Sequence, residues 1–199
     1  MQQSELFSPS GAWPEGFVYQ ADFLSAAWER ELLRGIRALP FEHAPYHEWQ
    51  ARRRIVAFGG RYDFERRVVE AAPPLPQFLV PLRAAVAAWA GVAPAEFAQA
   101  MVTEYAPGTP LGWHRDAPQY EHVAGVSLMG HARLRLRPWP PQRNARATHA
   151  IELAPRSVYA LRAAVRWAFQ HAVSPTRELR YSVTFRTRRD EHHAATRPA

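Results

Sequence analysis

Between Arg180 and Arg186 the chain reads RYSVTFR, and its apolar and polar residues alternate without a break. Side chains on a strand point to opposite faces with a period of two. Tyr181, Val183 and Phe185 therefore share one face, and Arg180, Ser182, Thr184 and Arg186 share the other. A helix would mix the two sets, so this segment is a strand. Similar patterns precede it. Met101, Thr103 and Tyr105 fall on one face, Val123 to Leu136 continues as strands around Gly130 with Leu134 and Leu136 alternating against Arg133, Arg135 and Arg137, and Ile151 to Leu161 resumes the alternation.

The first half of the chain is different. After a short strand at Phe17 to Tyr19, Ser25 is placed as an N-cap for a helix over Ala26 to Arg37, with Trp28, Leu32, Leu33 and Ile36 on one face. A second amphipathic helix follows the turn Pro73 to Pro76, covering Phe78 to Ala90 with Leu79, Leu82, Val86 and Trp89 apolar. Between them, Arg52 to Phe64 (RRRIVAFGGRYDF) reads as a hairpin about Gly59-Gly60. Helices first and many short antiparallel strands after them indicate an α+β domain with a sandwich or barrel core. The length of 199 residues suits one domain, expected over 17–189, between a mobile arm at 1–16 and a disordered tail at 190–199.

Cysteine is absent, which excludes disulfides, thiolate zinc sites and a cysteine nucleophile, so any metal chemistry has to use His and carboxylates. The formal charge is +7, and all 25 basic residues are Arg. Such a field favours an anionic partner, nucleic acid first among them. Neither a secretory signal nor an apolar run long enough to span a membrane is visible, so a cytoplasmic protein without membrane attachment is expected.

One short motif carries chemistry. In YAPGTPLGWHRD, Tyr105 to Asp116, an extended backbone brings His114 and Asp116 to one face and turns Trp113 and Arg115 to the other. With nine His and four Asp in 199 residues, His-x-Asp arises by chance about 0.2 times, so the pair needs a third partner to mean much. A second His completing a 2-His-1-carboxylate triad would leave open positions suited to Fe(II) and oxygen chemistry. The candidates are His171, His122, His131 and His149, while His43, His47, His192 and His193 read as surface or tail residues.

Four motifs in order decide among them. Tyr105-Ala-Pro-Gly, His114-x-Asp116, Arg166-x-x-Phe169-x-His171 and Arg180-Tyr-Ser-Val-Thr-Phe-Arg186 resemble the core motifs of the AlkB family of 2-oxoglutarate and Fe(II)-dependent dioxygenases, in register from about residue 15 to residue 188. The resemblance implies a double-stranded β-helix, or jelly roll, with the N-terminal helices packed against one sheet. It implies Fe(II) held by His114, Asp116 and His171, 2-oxoglutarate as cosubstrate and O2 as oxidant. Arg180 would hold the far carboxylate of 2-oxoglutarate, a planar fork suited to that group, with Tyr105 donating a hydroxyl hydrogen bond and Arg177 as the alternative arginine. Thr103 and Ser182 stand where many members have Asn and keep a hydrogen-bonding group beside the cosubstrate. Arg186 resembles the family's second arginine, near both the metal-binding Asp and the substrate.

The family's activity implies oxidative demethylation of alkylated bases in DNA or RNA. Arg52, Arg53, Arg54 and Tyr62 are the candidate contacts to phosphates and bases, with the Arg-rich stretch 133–146 adding charge. Pro118, two residues after Asp116, lacks the acceptor side chain that some members aim at a base. An oxygenase acting on a protein side chain or a small molecule is therefore the alternative, and a catalytically silent basic barrel that binds nucleic acid is the second. A monomer with no obligate protein partner is expected.

Overall fold

The computed structural model describes residues 13–46, 49–63, 66, 68–141 and 147–189. In chain order the elements are β1 (Phe17–Gln20), α1 (Ala26–Ile36), β2 (Glu42–Tyr46), β3 (Trp49–Phe58), β4 (Gly60–Asp63), β5 (Val68–Ala71), α2 (Val80–Ala90), β6 (Phe97–Tyr105), β7 (Leu111–His114), β8 (Tyr120–Met129), β9 (Ala132–Pro138), β10 (His149–Leu153), β11 (Val158–Leu161), α3 (Ala163–Trp167), β12 (Phe169–Val173) and β13 (Arg180–Arg188). The strands form a seven-stranded sheet in the order β1-β11-β8-β13-β6-β3-β2, a four-stranded sheet β10-β9-β12-β7, and a separate pair β4-β5, and every pairing is antiparallel.

Local chemistry accounts for the helices. Ser25 Oγ accepts the Trp28 backbone N–H at 3.1 Å and caps α1. Gly91, at φ +71°, takes the left-handed conformation that ends α2. The apolar positions of both helices join one buried cluster with the seven-stranded sheet: Leu32 and Ile36 of α1 and Leu82 and Val86 of α2 lie with Val102, Val126, Val183 and Phe185. A second cluster, including Leu134, Leu136, Leu153, Tyr159, Leu161 and Val173, draws on both large sheets and fills the space between them. Trp13 stacks on Phe17 at 4.6 Å and packs against this second cluster, and the Glu15 carbonyl accepts the Val165 N–H.

Strand β13 lies at the centre of the larger sheet, between β6 and β8, and is buried from Arg180 to Thr187. Its apolar set, Tyr181, Val183 and Phe185, enters the cluster shared with the helices. Its polar set consequently looks the other way, into the space enclosed by the two sheets. Ser182 sits opposite Thr103 on β6 and Ser127 on β8, and Arg180 sits opposite Tyr105. Alternation on a buried central strand therefore separates core from cavity, where on an outer strand it would separate core from water.

The expected hairpin over Arg52 to Phe64 is not formed. Strand β3 pairs with β2 and β6, and β4 pairs with β5 in a different sheet. Gly59, at φ +76°, turns the chain out of the larger sheet, and its N–H bonds to the Pro73 carbonyl at 2.8 Å. A Cβ there would lie 2.4 Å from the Ala98 carbonyl oxygen, so the glycine marks a close backbone approach and not a two-residue turn. Residues 1–12 of the expected arm, the centre of the Pro/Arg loop at 142–146, and the tail from 190 lie outside the described residues. No described helix is long and apolar enough to cross a membrane.

Phe185 is fully buried and its ring lies 5.5 Å from that of Phe97. Phe185→Ala is expected to lower unfolding stability by about 3–5 kcal/mol, read from urea melts. Val68→Ser, at a position 42% exposed on β5, is expected to change it by less than about 0.5 kcal/mol.

Candidate metal centre

Strand β7 runs antiparallel to β12 with His114 directly opposite His171. Directly opposed residues point to the same side of a sheet, which brings the two imidazoles together. Their ring centroids lie 4.2 Å apart. The His114 Nδ1–H donates to the Gly112 carbonyl at 2.9 Å, because a carbonyl only accepts, and this leaves Nε2 with its lone pair free. Asp116 follows two residues beyond His114, past the end of β7, and donor atoms of His114, Asp116 and His171 all lie within 4.8 Å of one another.

Arg186 reaches across from the larger sheet to the Asp116 carboxylate. Its Nε and Nη2 both contact Oδ1, at 2.8 and 2.7 Å. Oδ2 is left buried without a hydrogen-bond partner, 3.5 Å from His171 Nε2. A buried carboxylate oxygen without a partner is costly. Beside two imidazole nitrogens it suits a divalent cation that takes N and O donors and keeps open positions. The residues present thus fit Fe(II).

Electrostatics keeps the donors in their metal-binding forms. Burial pushes the Asp116 carboxyl up, but Arg186 and then His171 outweigh it and hold the group well below the usual carboxylate range. Burial and the neighbouring His114 push His171 down to about 3, with Asp116 opposing. Burial likewise lowers His114, and the charge of Arg53 adds to this. Arg166, itself buried, donates through Nη2 to the carbonyls of Asp116, Ala117 and Tyr120 at 3.3, 2.8 and 2.7 Å, fixing the loop that presents the carboxylate.

The second basic group of β13 has different surroundings. Arg180 is 1% exposed, its Nε donates to Ser127 Oγ at 2.9 Å, and its guanidinium lies 5.0 Å from the centre of the Tyr105 ring. No carboxylate among the described residues comes within ion-pair distance of it. A buried cation without a counter-charge is a site prepared for an anion. Thr103, Ser182 and Ser127 form a row of buried hydroxyl residues two positions along the strand. Arg177 is exposed in the turn before β13 and does not enter this pocket.

The three arginines expected to act together are divided by the pleat of β3. Ile55 stands opposite Thr103, so Arg53 shares the inward face and lies near enough to His114 to affect its titration. Arg54 faces the other way, where it pairs with Glu104 at 2.6 Å and covers the Phe41 ring. Arg52 is exposed, on the same face as Arg54. The strand thus places Arg53 on the face of the metal centre and Arg52 and Arg54 on the opposite face. Tyr62, on β4, sits near the buried Tyr120 hydroxyl. Burial raises that phenol, Arg186 opposes the shift, and Tyr62 adds to it. The other candidate histidines are elsewhere: His131 is exposed, His149 packs against Trp13, and His122 donates its backbone N–H to Thr187 Oγ1. His47, His192 and His193 lie outside the described residues.

Tyr159 is a site residue that the sequence did not single out. Burial raises its phenol to about 12, while Arg180 pulls it down, so it lies in the field between the two arginines. Its ring lies over Gly125, where a Cβ would come within 2.5 Å of it. Gly125, a glycine inside an apolar strand, is the sequence signal from which a close approach at this position could have been read.

Because unfolded imidazole titrates near 6.5 and His171 in the fold near 3, the unfolded chain binds more protons between those values. Stability of the metal-free protein is therefore full above pH 6.5 and falls as the pH drops towards 3. Urea midpoints are expected to decline over this window and to decline less in His171→Phe. A midpoint independent of pH would contradict the burial of a neutral imidazole.

No curated protein matches the chain in sequence. A structure titled "The structure of OsALKBH1" superimposes with a TM-score of 0.71 at 16% identity, over 89% of this chain and 100% of that one. A prolyl hydroxylase in complex with a hypoxia inducible factor oxygen degradation domain peptide fragment, from Trichoplax adhaerens, superimposes with a TM-score of 0.60 at 14% identity, over 92% and 88%. Both establish the likeness of fold, a jelly roll of antiparallel sheets. Residues 16–189 match the family described as the 2OG-Fe(II) oxygenase superfamily. With a His-Asp-His group enclosed between its two large sheets, the chain belongs to that superfamily and is a dioxygenase that uses Fe(II), 2-oxoglutarate and O2.

Proposed function

We propose that this dioxygenase, a single catalytic domain over residues 17–189 with α1 and α2 backing its larger sheet, demethylates alkylated bases in DNA or RNA. The observation that carries the assignment of roles is the pairing of an orphaned Asp116 Oδ2 with an uncompensated, buried Arg180 in one enclosed space. His114, His171 and Asp116 are the metal ligands. Fe(II) held there would supply the oxidising chemistry that, using 2-oxoglutarate and O2, hydroxylates a C–H bond, with succinate and CO2 as coproducts. Arg180 takes the distal carboxylate of 2-oxoglutarate, held in plane by Ser127 and faced by Tyr105, while Thr103 and Ser182 line the channel. Arg186 occupies Oδ1 of Asp116 and so directs the other oxygen to the metal. Hydroxylation of an N-methyl group gives a carbinolamine that collapses to formaldehyde and the unmodified base.

Support for a nucleic-acid substrate comes from the formal charge of +7, from Arg53 facing the site, and from the order of motifs shared with AlkB proteins. Tyr62 is the candidate for stacking on a base drawn out of its helix. The competing reading is hydroxylation of a peptide or small molecule. Pro118 favours it by offering no acceptor to an exocyclic amine, and so does the fold shared with a prolyl hydroxylase.

The test is succinate release by the Fe(II)-loaded protein with an N-methylated oligonucleotide or its unmodified twin. Stimulation by the methylated strand is expected; turnover indifferent to it would move the substrate to protein or metabolite. His114→Ala and His171→Ala are each expected to abolish turnover. Arg180→Ala should mainly raise the 2-oxoglutarate concentration needed, by at least about tenfold for the missing charge-assisted bond.

A further inference from the structure

The strand alternation that turns His114 and His171 inward turns Trp113, Arg133, Arg135 and Arg137 to the outer face of the four-stranded sheet. The guanidinium groups of Arg135 and Arg137 lie 5.1 and 4.4 Å from the centre of the Trp113 ring, and that of Arg115 lies 4.7 Å from the centre of Trp139. Trp139 is 40% exposed, at the end of the sheet where His114 and Asp116 are presented. Stacking on an indole fixes the plane of a guanidinium, a fork geometry suited to a phosphate, and the Arg137 Nε–H donation to Gln170 Oε1 at 2.9 Å and the Arg115 Nη1–H donation to the Trp167 carbonyl at 3.3 Å hold two of these planes in place.

Charge on this face is almost all of one sign. Glu152, opposite Arg133, is the one acid in the four strands β7, β9, β10 and β12, and it makes no ion pair with Arg133. Arg115, Arg133 and Arg135 have no carboxylate partner among the described residues, and Arg135 Nε is buried without any hydrogen-bond partner. Alternate residues on a strand are roughly 6.6 Å apart, comparable to the step between phosphates in an extended single strand. Arg133, Arg135 and Arg137 repeat at that interval along β9, leading away from the mouth.

We propose that this face is a track for the phosphodiester backbone of single-stranded nucleic acid, which holds the strand beyond the nucleotide that enters the site. It rests on the nucleic-acid reading above and adds a second binding surface, separated from the cavity by the thickness of a sheet. The occupant is a polymer, because the arginines are spread along a line and do not converge on one point. Phosphate pairing of this kind gives affinity and register but no sequence preference.

The experiment measures binding of a fluorescein-labelled, unmethylated 12-mer by anisotropy across a salt series, with wild type, Arg133→Gln and Arg133→Gln/Arg135→Gln. For every phosphate that an arginine no longer neutralises, the slope of log K against log salt should shrink by about 0.7. Arg133 is exposed, so its single substitution keeps the test clear of folding defects. A second arm compares succinate release on methylated strands of three and twelve nucleotides. Wild type should favour the longer strand and the double variant should not. Unchanged slopes in both variants, equal use of the two lengths by wild type, or displacement of the 12-mer by polyglutamate at equal charge would each overturn the track. The first two leave demethylation standing if methylated strands still stimulate turnover. No stimulation by any methylated strand would overturn both readings.

Discussion

The ion pair between Asp116 and Arg186 joins the two halves of the molecule. One partner sits just past the edge strand of the smaller sheet, and the other on the central strand of the larger. Both side chains are less than a tenth exposed, so their attraction is little screened, and removing either partner from such a pair costs about 3–5 kcal/mol. The pair also decides what Asp116 can do. By placing both nitrogens on Oδ1, Arg186 keeps the carboxylate ionised and leaves Oδ2 facing His171.

The rest of the site follows from the two faces of β13. Its apolar side anchors the strand in the cluster shared with α1 and α2, which leaves the polar side buried between the two large sheets. Arg180 and Arg186, six residues apart, then differ in their surroundings: Arg186 is paired with the Asp116 carboxylate, and Arg180 has no carboxylate within ion-pair distance among the described residues. Thr103 of β6 and Ser127 of β8 flank Ser182 of the strand between them, and Tyr159 reaches in because Gly125 has no side chain.

Much of this was legible because strands have a simple period. The faces of β13, the inward pair His114 and Asp116, and the outward Trp113 and Arg115 all follow from counting by two. The capped α1 and the start of α2 follow from Ser25 and the spacing of leucines. Long-range partners were another matter. That His114 lies opposite His171, and not His131 or His149, depends on strand register, which spacing does not encode and only the order of motifs suggested. The Arg52 to Phe64 segment misled because Gly-Gly marks both tight turns and close backbone passages, and only the neighbouring Ala98 distinguishes them. Three consecutive arginines looked like one cluster, although a pleated strand must send the middle one to the opposite side.

Strand β7 is four residues long and lies at the edge of its sheet, hydrogen-bonded to β12 alone. Under the proposed ligand set it carries one donor at its end and leads directly to the second, so fraying of this single strand would release two of three donors together. Edge elements open at lower free-energy cost than the protein as a whole. How long the iron stays would then be set by the opening rate of one short strand and its clasp to Arg186, and the lifetime of the loaded enzyme becomes a property of local unfolding.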